Sequence, residues 1–445
     1  MIISKGPTIF YLIFGAALLV FVAFRASEAI LPVFLVILLA LGGCYRFDVA
    51  QKSFYIRFFF LGLVALRGAV LFIQSKRQQG VTQRFRTTPL HWGFLLTALI
   101  GIMGSLYSVD PSLAAQRAMT FLLLYFVVFV YFWLRSDSPQ ECEAYAVALW
   151  KSLAIILGIG FLFMLLGAPG MFSAGRLRLV LGNPNQLGHY AALMAPIAVW
   201  YLFEKSETAN KYLAWGIVGA LLVAIVWSGS RGALVGTLII LGLQFLLCYR
   251  EKMLVMFIVF GLGASLHFLL KDPVFKPGED PSFFEETVLR EKTLGSGSGR
   301  LGVWKSATRL IEKQPLFGYG FGIVDRLFVL GYFPDLPLTF QGGHVHNGYL
   351  EELVNLGWIG TSPLFSILIY LMAIGAFYLS RPRRVTKAYR FTVALFSVMV
   401  GGVISGVFES WFTSVGSVFC FPFWFTSILF LKMTRHFNDW RSLTA

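Results

Sequence analysis

Two histidines, His344 and His346, stand in the stretch GGHVHNGYLEELVNLGWIG (342–360), downstream of four arginines set beside glycine-rich or turn-forming segments. Arg176 and Arg178 precede the turn Asn183-Pro184-Asn185 in GRLRLVLGNPNQLGHY (175–190), Arg231 lies in WSGSRGAL (227–234), and Arg300 follows the string GSGSG (295–299). A guanidinium is permanently charged and presents a planar fork of donors that matches phosphate oxygens, so several converging on one face would hold a polyanion. The glycines beside them would let a ligand approach the backbone. A neutral imidazole can accept a proton, as a general base must. Each residue also has a bland reading. A lone arginine can extend to the membrane interface, and a histidine can cap a helix or pack.

His346 differs by its place on a helix, which leaves chemistry and a capping or packing role equally open. With 346–356 helical at about 100° per residue, Tyr349, Leu350, Leu353, Val354 and Leu356 form one stripe, and His346 sits on it in the first turn. Asn347, Glu351, Glu352 and Asn355 face away. The partial positive charge of a helix N-terminus disfavours imidazolium and keeps such a ring neutral. His344 falls before this helix and stays a competitor for the role. His91, His189 and His267 lie at or near the ends of apolar runs and read as packing residues; His436 is given no role.

The elements that must position these groups are membrane helices. Hydrophobic residues make up 57% of the 445 positions and charged residues 13%, against about 25% charged in an ordinary soluble domain. The apolar residues come in runs long enough to cross about 30 Å of hydrocarbon as helices, without the alternation of a transmembrane barrel. The reading is an all-α polytopic integral membrane protein with about 12 transmembrane helices and one long loop carrying short helices. Spans are expected near 8–24, 28–44, 89–107, 118–134, 147–167, 187–203, 211–227, 232–248, 253–270, 358–379, 391–408 and 411–431. The apolar stretch 54–74 is set aside, because Arg57 and Arg67 would each cost about 2.5–3.5 kcal/mol at a helix centre. Counting it would place the N-terminus outside.

The organisation follows. Residues 1–270 hold the first nine spans and the 54–74 segment; 271–346 form a lid-like loop; 347–431 hold an amphipathic helix and the last three spans; 432–445 are a tail. Within the lid, Leu301, Trp304, Thr308 and Ile311 recur at helical spacing, and Pro315 and Gly318 end the pattern. The basic stretches 75–86 and 381–390 and the basic tail belong on the cytoplasmic side. Both termini are then cytoplasmic, and every unusual polar stretch faces the opposite compartment.

The net charge of +15 is explained by these loops, and no basic soluble domain exists to carry nucleic acid. Cys44, Cys142, Cys248 and Cys420 lie in or beside apolar runs, with neither a disulfide framework nor zinc-ligand spacing. Metal ligands, paired glycosidase acids and a nucleotide-binding loop are not seen, so no cofactor is expected.

The order R…NPN, SGSRGA, GR…W…PLFGYGFG, HNGYLEELVNLGWIG, over about 175–360, resembles the O-antigen ligase/polymerase superfamily of bacterial membrane glycosyltransferases. The last piece is the most specific; SRGA alone would be weak. The resemblance implies a GT-C-like membrane glycosyltransferase in the inner membrane with a periplasmic active site. It implies en bloc transfer of a glycan (O-antigen) from undecaprenyl diphosphate to a hydroxyl of lipid A–core, inverting and without metal. The family's catalytic histidine falls on His346, its arginines on Arg231, Arg300 and Arg176, with Arg178 possible by spacing; Asn347, His344 and Asn185 are the supporting polar residues. A polymerase extending carrier-linked repeats is the alternative. A protein O-oligosaccharyltransferase is disfavoured by the short tail. A non-enzymatic flippase is disfavoured by charges collected on one face.

Overall fold

The computed structural model describes residues 19–25, 27, 30–44, 47–77, 87–173, 175–205, 208–253, 300–333, 343–381 and 384–436. Most of the expected span 8–24, the span 253–270 from Leu254 onward, the 271–299 part of the lid with its GSGSG string, and 437–445 lie outside the described residues.

The chain marks many helix starts itself. Asp110–Pro111, Ser138–Pro139 and Asn183–Pro184 each place a polar cap before a proline, whose fixed φ and missing N–H suit the first helical position. The cap oxygens accept from Leu113 N (3.1 Å), Glu141 N (3.2 Å) and Gln186 N (2.9 Å). At Thr88–Pro89 the ring of His91 does this work, with Nδ1 accepting from Thr88 N at 3.2 Å. Among the described residues the main helices from Leu31 on are α1 (Leu31–Ala40), α2 (Phe47–Arg77), α3 (Pro89–Gly104), α4 (Pro111–Tyr125, continued as helix through Phe126–Phe132 and Trp133–Arg135), α5 (Pro139–Leu165), α6 (Pro184–Glu204), α7 (Thr208–Trp227), α8 (Arg231–Cys248), α9 (Arg300–Lys313), α10 (Val324–Val329), α11 (Gly348–Ser380), α12 (Lys387–Gly406) and α13 (Cys420–Leu431). A two-stranded hairpin, β1 (Phe172–Ser173) and β2 (Arg176–Leu177), precedes α6. Helix α6 is buried from Leu187 to Leu202 and packs against α5, α7, α8 and α12, the central column of the bundle.

Among the described residues, eight helical stretches are long and apolar enough to cross a membrane. One is Tyr55–Ser75 inside α2, so the stretch set aside for its arginines is a continuous helix of crossing length. Arg67 donates to Ala23 O at 2.9 Å and lies 5.0 Å from the centre of the Tyr131 ring. Arg57 is buried and donates from Nε to Ser53 O at 3.3 Å. These contacts offset the desolvation that argued against the span, and the count of twelve loses that ground.

Two other expectations change. The expected span 411–431 is helical only from Cys420; residues 411–419 are irregular, rich in Ser and Gly, and folded inside the protein, where Phe412 O accepts from Trp424 Nε1 at 2.9 Å. Such backbone survives at membrane depth only when buried or lining a cavity. In α9 the buried face is Val303, Ala307, Leu310 and Ile311, whereas Leu301 and Thr308 face outward. That face packs with Leu327 of α10 and with Leu353 and Val354 of α11 in a small second core.

Helix α11 contains the break that positions the site. Gly357 has φ 61° and ψ −172°, so 348–356 forms a separate short helix before the span. The groups freed by the break bond to PLFGYG (315–320): Trp358 N to Pro315 O (2.7 Å), Ile359 N to Leu316 O (3.0 Å), Tyr319 N to Val354 O (3.0 Å) and Gly320 N to Asn355 O (2.8 Å). A Cβ on Gly357 would lie 2.4 Å from the Leu316 carbonyl carbon.

Candidate active site

Asn347 decides where the histidine goes. Its Oδ1 accepts from Tyr349 N (3.0 Å) and Leu350 N (3.1 Å), which makes it the cap of α11 and starts the helix at Gly348. His346 therefore stands outside the helix, at φ 53°, a left-handed conformation that few non-glycine residues adopt. It is not on the helical stripe expected from the sequence.

The ring instead meets a carboxylate. Nδ1 of His346 lies 3.3 Å from Oε2 of Glu409, and the other oxygen, Oε1, lies 3.3 Å from a terminal nitrogen of Arg300. The Glu409 side chain is 8% exposed. Burial alone would raise its pKa. The hydrogen bond and charge of His346, with the charges of His189 and Arg300, outweigh that and hold it down to about 2. Glu409 is thus an anion facing Nδ1. In the neutral ring that arrangement keeps the proton on Nδ1 and the lone pair on Nε2, and it stabilises the imidazolium formed when Nε2 takes a proton.

The other sequence-derived residues take different places. Arg176 donates from Nε to Ser228 O at 2.7 Å and from its terminal nitrogen to Asn185 Oδ1, so it ties the β-hairpin and the start of α6 to the SGSRGA turn. Arg231 opens α8 directly after that turn, where Gly229 takes φ 58°. Gly232 beside it packs under Phe408 and His189; a Cβ there would come within 2.7 Å of the Phe408 ring. Buried His189 sits 3.1 Å from Ser405 Oγ and feels the charges of Glu409, Arg300 and Arg176. Arg178 points elsewhere, holding Gly170 O (2.8 Å) and Gly182 O (3.3 Å) and so shaping the loop around the hairpin.

His344 is half exposed and 3.4 Å from Glu351 Oε1, whose second oxygen accepts from Val345 N at 2.9 Å. Burial pulls the His344 pKa down and the Glu351 carboxylate more than offsets it, so the net displacement is upward. This pair fixes the turn that presents His346.

A cavity of about 360 Å³ adjoins His346 and Glu409 and is also walled by Arg57, Arg117, Asp325, Glu352 and the irregular 410–417 segment. Arg117 and Asp325 meet as a two-pronged pair, both contacts 2.7 Å. Among the described residues no three His, Cys, Asp or Glu side chains converge as metal ligands.

Glu409, His189 and the cavity wall were not singled out from the sequence. A signal for Glu409 existed: it is an acid in a two-residue connection between expected spans, on the side where the arginines collect.

Comparison with known proteins gives a family match over part of the chain. Residues 216–365 match the family described as O-antigen ligase, a stretch that includes Arg231, Arg300, His346 and the break at Gly357. An uncharacterized protein of Haemophilus influenzae is 24% identical over 199 residues, 41% of this chain and 49% of that protein; the chain spans about half the length of this curated relative. Over residues 216–365 the chain thus carries a match to the O-antigen ligase family.

Proposed function

We propose that the protein transfers a glycan en bloc from undecaprenyl diphosphate to a sugar hydroxyl of lipid A–core, on the periplasmic face of the bacterial inner membrane. The observation that carries this reading is the chain Arg300–Glu409–His346, with His189 beside it under the charges of Glu409, Arg300 and Arg176. The acceptor O–H gives its proton to Nε2 of His346 while its oxygen attacks the anomeric carbon. The anomeric C–O bond to the diphosphate breaks from the opposite face, so configuration inverts. Charge that grows on the leaving diphosphate meets the guanidinium groups of Arg176, Arg231 and Arg300, an interaction strongest in the transition state. Glu409 orients the imidazole and compensates its positive charge. These steps call on no metal or cofactor. Ligase is preferred over polymerase because one long loop late in the sequence resembles ligases better.

Purified protein given undecaprenyl-diphosphate glycan and rough lipopolysaccharide should produce capped lipopolysaccharide, also in the presence of EDTA. Lengthening of the carrier-linked glycan alone would make it a polymerase instead. His346→Ala should abolish transfer while the purified protein keeps its thermal transition; full activity would refute the base role.

A further inference from the structure

Arg176, Arg231 and Arg300 are not part of the cavity wall. The wall carries two arginines, Arg57 and Arg117, against four acids, Asp325, Glu351, Glu352 and Glu409. Three of these acids are engaged: Asp325 with Arg117, Glu351 with His344 and Val345 N, Glu409 with His346 and Arg300. Glu352 differs. It is 3% exposed, and its Oε1 accepts from Thr413 Oγ1 at 2.6 Å. Its Oε2 has no partner at full hydrogen-bond geometry among the described residues, with Asn355 nearby. Neighbouring Asn355 uses its own Oδ1 to accept from Ile323 N at 3.0 Å. Burial pushes the pKa of the Glu352 carboxyl up to about 8, so near neutral pH it is largely protonated. A buried polar oxygen left without a hydrogen bond is unfavourable, and a hydroxyl brought by a ligand would relieve it.

We infer that this cavity is the acceptor subsite, and that Glu352 shares a hydrogen bond with a hydroxyl of a neutral, hydroxyl-rich terminal sugar. The inference rests on the function proposed above. The wall's two arginines face the anions Asp325, Glu351 and Glu409, so it offers a phosphate no excess of guanidinium charge, unlike the arginine side of His346. The volume falls within the range of about 300–1,000 Å³ common for small-molecule sites. Glu352 lies on the short helix ahead of the Gly357 break and Thr413 in the irregular segment, so both structural departures build one wall. In this role Glu352 sets acceptor specificity; it takes no part in the bond that breaks.

The test is saturation-transfer NMR on the detergent-purified full chain with three probes. These are a dephosphorylated core oligosaccharide, the same oligosaccharide with a phosphate on its terminal hexose, and farnesyl diphosphate. The neutral oligosaccharide should bind the wild type. Glu352→Leu should weaken it at least tenfold and Glu352→Gln at least twofold, with farnesyl diphosphate binding unchanged as the control for a folded site. Equal binding to wild type and Glu352→Leu, no binding of the neutral probe, or equal binding of the terminally phosphorylated one would overturn the subsite. Glu352-dependent sugar binding without any transfer activity would sink the proposed function and leave the subsite standing; transfer without Glu352-dependent binding would do the reverse.

Discussion

Glu409→Gln removes one charge and almost no volume, so it isolates what the carboxylate does for His346 and Arg300. In the wild type the anion faces Nδ1 at 3.3 Å and Arg300 at 3.3 Å. Both contacts are longer than the roughly 2.7–2.9 Å of the tightest charge-assisted bonds, which puts the expected effect in the lower part of the range for such groups. A glutamine that turns its amide N–H₂ toward Nδ1 would force the ring proton onto Nε2, the atom that must accept. We expect transfer to fall about 10²–10³-fold in kcat, with donor KM changed far less. Stability should fall as well. Glu409 is held at about 2 against an ordinary value near 4.5, worth about 3 kcal/mol at most. Because this pKa is depressed, that contribution is complete above pH about 4.5 and is lost as the pH falls toward 2. The variant's thermal midpoint should accordingly drop at pH 7 and vary less than wild type between pH 4.5 and 2. The assay is transfer to rough lipopolysaccharide at saturating donor, with thermal unfolding followed in parallel. A variant with wild-type kcat would refute the orienting role of Glu409, whatever its stability.

Gly357→Ala should destabilise the protein by more than about 2 kcal/mol, since it forces a side chain into a glycine-only conformation and against the Leu316–Phe317 backbone. A thermal midpoint equal to wild type would contradict that geometry. Arg176→Ala should lower kcat for transfer at least tenfold. Arg178→Ala should instead lower thermal stability by roughly 1–2 kcal/mol, because it leaves two carbonyls without their donor. Matching kinetic defects in the two variants would show that Arg178 also meets the donor.

The features written in local chemistry were legible. Polar caps followed by proline announce helices, the arginine-bearing turns lie where apolar runs end, and Trp304 does fall on a helix. Glu409 could not be paired with His346 by sequence, because 63 residues separate them and only the bundle closes that distance. His346 was expected on the stripe of α11 because periodicity ignores caps; Asn347 takes the two N–H groups and begins the helix one step later. The 411–419 stretch is apolar enough to read as a span, yet its place inside the fold lets it dispense with helical hydrogen bonds. Arg57 and Arg67 argued against a helix only while their partners were unknown.

The clasp at Gly357 has a consequence for biosynthesis. The strand-like donor and acceptor groups of 315–320 leave the ribosome before 348–359, so the first partner is already made when the second arrives. The bend in α11 is therefore completed by an older stretch of chain, and it cannot mature while that stretch is still missing. Any truncation or insertion that separates 315–320 from its place would be felt as a defect of membrane insertion in the later helix, far along the chain from the lesion.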